Sequence, residues 1–396
     1  MRLLPLRLSL SLLFLAPLGI ASPPLAAPTQ QSREPAPLEL KRGDSICLLG
    51  GVLAERMQNH GWLEWRLQQR FKDSELSVRN LGFGGDALSV HQRTHNFGKF
   101  SADGMEMELR HERFVPWDRF LQHCKANVIL AFFGYNESFE GEAGLDRYRA
   151  DLASFIDHVL AERYDGHAAP ELLIFSSIPE EDLGDANIPN PRAANQRIAS
   201  YNAAAAEVAK SKGVRFVDVF AGMQAQYAAE VAPLTINGIH LNNAGNRALA
   251  QVIETELFGA AQPRAEEPSL LEAIRRKNLK WFNRYQATDG YNVYGARSRM
   301  VYPGSVDGVP YSNFDVLQRE LDHIDGLVAE GDREIWDLAN GRVYEQDLSG
   351  VLPLMPVQTN KRGDTQNGEH LYFEPRDSLK QIQAAKGLQV ELFADE

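Results

Sequence analysis

Five short apolar segments, each followed by a stretch with helical spacing, constrain the fold of this chain more than any other feature. Strands are predicted at Ser45–Gly50, Leu76–Gly82, Asn127–Gly134, Glu171–Ser177 and Val214–Val219. Helices are predicted at Val52–Phe71, Trp117–Lys125, Leu145–Arg163, Ala193–Lys212 and Ala244–Leu257. Strands that alternate with helices need crossover connections, which favour a mostly parallel sheet covered on both faces. The predicted fold class is therefore α/β, a three-layer α/β/α sandwich with a five-stranded sheet.

Composition excludes several classes of function. The chain has 396 residues and a formal net charge of −12, so it offers no basic surface to nucleic acid. The glycine patterns of nucleotide-binding loops, CxxC pairs and the GxSxG elbow are all missing. We expect no cofactor. The two cysteines, Cys47 and Cys124, lie in or beside apolar segments and are interpreted as free thiols rather than a disulfide.

The N-terminus has the three parts of a secretory signal peptide. Arg2 and Arg7 accompany an apolar run from Leu8 to Ile20, and small residues follow. We predict a signal peptide over residues 1–27, a disordered leader over 28–40 and a secreted or periplasmic protein. The run is too short for a spanning helix, and no later apolar segment is long enough for one.

The alternating pattern stops near residue 260, so the main domain is predicted over residues 41–260. A helical extension is predicted over 265–345, with helices at Ser269–Tyr285 and Phe314–Asn340. The aromatic stretch Trp281–Tyr294 is interpreted as packing between this extension and the main domain, with a carbohydrate platform as the alternative. Residues 346–396 are predicted as a loop-rich tail. Its last part, Asp377–Glu396, resembles the lead-in to propeller-type domains, which implies a downstream domain as partner.

Four short motifs follow predicted strands or precede the last helix. They are LGGVLAE at Leu49–Glu55, NLGFGGD at Asn80–Asp86, FFGYNES at Phe132–Ser138 and NGIHLNNAG at Asn237–Gly245. In a parallel sheet of the flavodoxin-like kind, ligands bind beyond the carboxyl ends of the strands. The order of the four motifs therefore predicts one shared site at this edge.

The four motifs together resemble those of the SGNH or GDSL hydrolases over residues 40–260. The resemblance implies that Gly85 and Asn136 hold an oxyanion and that His240 is the catalytic base. It places Asn237 where the family has aspartate, and Val52 where the family has its serine nucleophile. Two of the family's catalytic roles are therefore altered in this chain.

The tripeptide Gly43-Asp44-Ser45 looks like the serine motif of that family, but it precedes the first strand instead of following it. A strand of about five residues spans roughly 17 Å. A nucleophile must lie within about 3 Å of its base. Ser45 is therefore predicted to lie at the wrong end of the sheet, as part of a polar turn.

Other residues are weighed for the missing roles. Ser89, Thr94 and Ser138 are candidates for a displaced nucleophile, although such residues more often serve in loops or helix caps. Glu55, Asp86 and Glu137 are candidates for activating a water with His240. His91 and His95 have the spacing of a metal pair on a helix, but no third ligand is evident, and we predict no metal site.

Two functions remain open. The first is a secreted ester hydrolase that acts on an acylated carbohydrate or another small ester, with Gly51, Val52 and Glu137 lining the substrate site. The second is a catalytically degenerate module that binds a carbohydrate or an anion, or docks a partner domain. In this second reading, the N–H groups at the start of the Val52 helix and Asn136 would contact the ligand.

Overall fold

The computed structural model of the protein describes residues 38–90, 100–102, 105–107, 115–260, 264–286, 296–302, 308–356, 363, 365, 371 and 373–393. The predicted signal peptide and most of the leader lie outside these residues. So do Thr94, His91 and His95, and positions 287–294 of the aromatic stretch. Within the described ranges, no helix is long and apolar enough to cross a membrane.

The centre of the fold is a parallel sheet of five strands. The strands in chain order are β1 Ser45–Gly50, β2 Ser77–Asn80, β3 Phe100–Ala102, β4 Met105–Met107, β5 Val128–Phe132, β6 Glu171–Phe175, β7 Arg215–Val217, β8 Val301–Tyr302 and β9 Tyr311–Ser312. The central sheet has the order β2-β1-β5-β6-β7, and all its strand pairs are parallel. The other four strands form two separate antiparallel pairs, β3 with β4 and β8 with β9.

Ten α-helices accompany these strands in the described part of the chain. They are α1 Val52–His60, α2 Trp62–Arg70, α3 Val115–His123, α4 Leu145–Ala161, α5 Arg192–Lys212, α6 Phe220–Ala229, α7 Asn243–Phe258, α8 Pro268–Tyr285, α9 Asn313–Ala339 and α10 Pro375–Leu379. Helix α6 was not predicted from the sequence. This helix buries only Met223, so its sequence lacks the apolar stripe by which a helix is recognised.

The sheet is buried on both faces, as a parallel sheet requires. All six residues of β1 and all five of β5 are buried. Alternate residues of β1 enter different cores, since Ile46 and Leu48 belong to one apolar cluster and Cys47 and Leu49 to the other. Two cores separated by one sheet confirm the predicted three-layer α/β/α sandwich.

The prediction of a single helix over Val52–Phe71 is wrong, because the chain breaks at Gly61 into α1 and α2. Gly61 has φ of 72°, a left-handed conformation that favours glycine, and its N–H donates to the carbonyl oxygen of Met57. A Cβ at this position would lie 2.9 Å from Cγ2 of Ile274. The break lets α8 approach closely, and a helix packed from 200 residues away leaves no trace in local spacing.

The helical extension packs against the edge of the sheet. Helices α8 and α9 were both predicted, and their side chains donate hydrogen bonds to the edge strand β2 and to Leu76 just before it. Trp336 Nε1 donates to the carbonyl oxygen of Leu76, Lys277 Nζ to that of Val78, and Trp281 Nε1 to that of Asn80, each at 2.8–2.9 Å. The edge carbonyl groups, which could otherwise pair with another chain, are thus satisfied by side chains.

Three further differences separate the structure from the predictions. Leu38, assigned to the disordered leader, is buried in the core. The segment 83–116, predicted as a long loop, contains the β3–β4 hairpin. The strand-like pattern of Leu388–Phe393 forms no strand, since these residues have no sheet neighbour among the described strands and their large apolar side chains are exposed. An alternating pattern becomes a strand only where another strand accepts its hydrogen bonds.

Candidate active site

A cavity of about 350 Å³ lies at the carboxyl ends of β1, β5 and β6. All four sequence motifs contribute to its lining. The residues are Gly51 and Val52 of the first motif, Asp86 of the second, Asn136 of the third and His240 of the fourth. The sheet order puts β1 next to β5, which brings the first and third motifs together. The four motifs therefore meet at one cavity at the carboxyl edge of the sheet.

The turn from β1 into α1 is built around glycine. Gly50 has φ of 146°, and a Cβ there would collide with the carbonyl oxygen of Phe132 on the neighbouring strand. Val52 follows as the first residue of α1 and lines the cavity. The position that the resemblance assigns to the nucleophile therefore does face the site, and it carries an isopropyl group instead of a hydroxyl.

Asn136 lies against this turn. Its Nδ2 donates to the carbonyl oxygen of Asp86 at 2.8 Å, and a Cβ on Gly51 would be 3.3 Å from the same nitrogen. An amide nitrogen carries two hydrogens, so one remains for a ligand in the cavity. Gly85 has φ of 86° and is exposed, and it is not one of the residues that line the cavity. Its predicted oxyanion role stays a prediction.

Asn237 holds His240 in one orientation. Its Oδ1 accepts hydrogen bonds from the backbone N–H groups of Ile239 at 3.2 Å and His240 at 2.9 Å, and it lies 3.1 Å from Nδ1 of the His240 ring. An atom that accepts from two N–H donors is the oxygen of the amide, so the ring must donate to it. The proton therefore sits on Nδ1, which leaves the lone pair of Nε2 available as a base.

The pKa of His240 is lowered from its ordinary value, first by burial and then by the positive charge of Arg56. Both effects disfavour the imidazolium. Asn237 is neutral and cannot offset them by charge. His240 is thus a neutral imidazole at pH 7, suited to accept a proton.

The loop that carries His240 is held by hydrogen bonds at both of its ends. The buried carboxylate of Glu181 accepts the backbone N–H groups of Leu234 at 3.0 Å and Thr235 at 2.8 Å. Asn242 caps the N-terminus of α7, where its Oδ1 accepts the N–H of Gly245 at 2.9 Å. Both ends of the loop are therefore fixed, and the position of the imidazole is set before any ligand binds.

Glu137 lines the cavity but also has a structural role. Its two carboxylate oxygens accept the backbone N–H groups of Leu88 and Gly134, each at 2.9 Å. Burial raises the pKa of Glu137, while these N–H donors oppose that rise. The side chain ties the second motif to the third, so the predicted substrate-lining residue also positions both loops.

Ser45 lies far from this cavity. It is the first residue of β1, whereas the cavity begins beyond the last residue of that strand. Its Oγ donates to the carbonyl oxygen of Cys124 at 2.8 Å, and its N–H donates to Oδ1 of Asn127. The interpretation of Ser45 as a structural residue is consistent with these contacts. Cys47 and Cys124 are both free thiols, as the sequence indicated.

The other candidate nucleophiles and acids are distributed differently. Ser138 is buried and donates to the carbonyl oxygen of Tyr135 at 2.7 Å, while Ser89 is exposed; neither lines the cavity. Glu55 does not line the cavity, and its carboxylate lies close to Gly84, where a Cβ would be 2.8 Å from Oε2. Asp86 lines the cavity and its Oδ2 accepts from Trp117 Nε1 at 3.3 Å.

Sequence reasoning missed three contributors to the site. Arg56 lines the cavity one helical turn after Val52, and the i, i+4 spacing on α1 could have indicated it. Ser177 lies just past the end of β6, and a Cβ on Gly134 would be 3.3 Å from its Oγ. Glu180 accepts a hydrogen bond from Tyr135 at 2.9 Å, a pairing across loops that no local pattern reveals.

The parallel sheet, the glycine turn after β1 and the His240 loop at the same edge define a three-layer α/β/α fold with a candidate site at the carboxyl ends of its strands. Comparison with protein families makes the assignment specific. The sequence model of the GDSL-like lipase/acylhydrolase family matches residues 43–248, more than half of the chain. The protein belongs to this family. No curated protein matches the sequence significantly.

Several solved structures are similar to this one. An α/β hydrolase enzyme from the metagenome of Lake Arreo, Spain, is 15% identical with a TM-score of 0.41, and the match covers 56% of this chain and 99% of that one. A variant of an acetyl xylan esterase from Geobacillus stearothermophilus is 14% identical, with a TM-score of 0.42 and coverage of 57% and 99%. A GDSL-like lipase from Parabacteroides merdae is 12% identical, with a TM-score of 0.42 and coverage of 56% and 99%.

Proposed function

We propose that this protein hydrolyses esters in the cavity at the carboxyl edge of its sheet, with His240 as the base. One observation carries the proposal. The contacts of Asn237 leave the lone pair on Nε2 of His240, and the lowered pKa keeps that ring neutral.

The nucleophile in this proposal is a water molecule, because Val52 cannot supply a hydroxyl. His240 Nε2 takes a proton from the water, whose oxygen forms a bond to the ester carbonyl carbon. The carbonyl electron pair moves onto its oxygen, which accepts a hydrogen bond from Asn136 Nδ2. The bond to the alcohol oxygen then breaks, and the imidazolium returns its proton to that oxygen. The products are a carboxylic acid and an alcohol.

We extend the proposal in two respects: the protein is secreted, and its substrates are acylated carbohydrates. Phe139 lines the cavity, is 62% exposed and packs edge-on against Tyr135 at 5.5 Å between ring centres. Exposed aromatic rings of this kind offer an apolar surface for a ring-shaped ligand. Export is tested separately, by determining the N-terminal residue of the protein recovered from outside the cytoplasm.

The experiment compares hydrolysis of p-nitrophenyl acetate by the purified wild-type chain and the variants His240→Ala, Asn136→Ala and Ser45→Ala. We expect turnover that is lost in His240→Ala, reduced in Asn136→Ala and retained in Ser45→Ala. Turnover that is equal in His240→Ala and wild type would refute the proposal. Loss of turnover in Ser45→Ala with the fold intact would also do so.

The second candidate is a binding module without hydrolytic activity, and the presence of Val52 in the cavity specifically favours it. In this case, acetylated sugars and p-nitrophenyl acetate show no turnover above background. A ligand such as acetylated xylobiose still binds saturably, and Asn136→Ala weakens that binding. Detection of His240-dependent turnover would rule this candidate out.

A further inference from the structure

The cavity contains a cation, Arg56, that has no partner among the residues that the structure describes. Arg56 makes no hydrogen bond or ion pair with any of the described residues, and its Nε is buried without an acceptor. An arginine side chain normally uses its donors on carboxylates or carbonyl groups. A buried guanidinium nitrogen without an acceptor costs free energy, unless a ligand supplies one.

The acidic residues around the same cavity do have partners. Glu137 accepts two backbone N–H groups, Glu180 accepts the hydroxyl of Tyr135, and Asp86 accepts the indole N–H of Trp117. These carboxylates are directed at donors of the protein. The group whose bonding capacity is left open to the cavity is therefore the cation.

Arg56 also lies close to the site of reaction. It follows Val52 by one turn of α1, so both side chains are on the same face of that helix. Burial is the main cause of the lowered pKa of His240, and the positive charge of Arg56 lowers it further, which places the guanidinium near the ring. Gly51 is the N-cap residue of α1, and no side chain caps this helix. The helix dipole therefore adds positive potential to the cavity at the N-terminus of α1.

We infer that Arg56 recognises a carboxylate carried by the substrate, so that the preferred substrates are esters with a free carboxylate near the ester group. Guanidinium and carboxylate match as planar partners that can form two parallel hydrogen bonds. This inference rests on the proposed function, since it concerns the substrate class of the same cavity. It can nevertheless be tested by binding alone.

The binding experiment uses succinate and its uncharged analogue succinamide as probes, measured by calorimetry at low salt. Wild type is compared with Arg56→Gln and Arg56→Lys. Arg42→Gln is the matched control, because Arg42 carries the same charge but lies outside the cavity. Its side chain is exposed, precedes β1 and forms an ion pair with Glu75. We expect saturable binding of succinate that Arg56→Gln weakens by about tenfold or more. Arg56→Lys should lose less, and Arg42→Gln should bind like wild type.

The turnover experiment compares the p-nitrophenyl monoester of succinic acid with p-nitrophenyl butyrate. Wild type should prefer the charged ester in kcat/KM, chiefly through a lower KM, and Arg56→Gln should bring the ratio of the two esters toward one. Absence of saturable succinate binding to wild type would overturn the inference, as would equal loss in Arg42→Gln. If succinate binds through Arg56 but no ester is hydrolysed, the proposed function fails while the carboxylate site stands.

Discussion

The side-chain oxygen of Asn237 lies 3.1 Å from Nδ1 of His240 and accepts two backbone N–H groups of the same turn. An aspartate at this position would make the same bonds and add a negative charge. The present arrangement keeps the orientation of the imidazole and gives up the charge that stabilises an imidazolium. His240 is thus a base whose pKa lies below its ordinary value of 6.5.

Replacement of Asn237 by aspartate should raise the pKa of His240, because a carboxylate within hydrogen-bond distance favours the charged ring. Since the wild-type pKa is below its ordinary value of 6.5, wild-type activity should persist as the pH falls below 6.5. In Asn237→Asp, the acid limb should move to higher pH. The pH profile of kcat/KM checks this shift, and an unchanged limb would mean that His240 is not the titrating base.

Introduction of a serine at Val52 should increase ester turnover by about tenfold or more. The hydroxyl would stand at the first residue of α1, in the cavity that His240 lines, where a base-activated nucleophile can act. Val52→Ala is the matched control, because it shortens the side chain in the same way and supplies no hydroxyl. A burst of p-nitrophenol equal to the enzyme concentration would report an acyl-enzyme. No gain in Val52→Ser would indicate that the side chain is not opposite the imidazole.

Removal of the Ser45 hydroxyl should leave ester turnover unchanged and cost about 1 kcal/mol of unfolding free energy. The hydroxyl donates to the carbonyl oxygen of Cys124 at the opposite end of β1 from the cavity. Loss of one such bond accounts for a cost of that size. Urea denaturation and p-nitrophenyl acetate assays of Ser45→Ala check both statements together.

Loss of the lysine from the buried Lys277–Glu64 ion pair should strongly reduce the free energy of unfolding. Lys277 Nζ lies 2.8 Å from Glu64 Oε1 and also donates to the carbonyl oxygen of Val78. Lys277→Met leaves the Glu64 carboxylate buried without its cation, which should cost about 3–5 kcal/mol in urea denaturation.

Neutralising the partner provides the control for this pair. Burial already raises the pKa of Glu64, and Lys277 opposes that rise, so removal of the lysine should raise the pKa further. The double variant Lys277→Met with Glu64→Gln should therefore recover part of the lost stability. Equal stability of the single and double variants would mean that packing, and not charge, accounts for the loss.

Local patterns in the sequence were sufficient for the main elements of the fold. The apolar runs that became β1, β5 and β6 are buried on both faces, and that environment leaves a direct record in composition. The position of a short motif relative to such a run also located Asn136, His240 and Val52 at one edge of the sheet. The same reasoning separated Ser45 from the site.

Tertiary structure alone decided the features that depend on contacts between distant segments. The close contact of α8 with Gly61, at the break between α1 and α2, is one such feature. The satisfied edge of β2 is another, since it depends on Trp281, Lys277 and Trp336, more than 190 residues further along the chain. Tertiary structure also decided that the guanidinium of Arg56 meets no acceptor among the described residues. A sequence shows that an arginine is present, but whether its donors meet a carboxylate depends on which side chains the fold brings within hydrogen-bond distance.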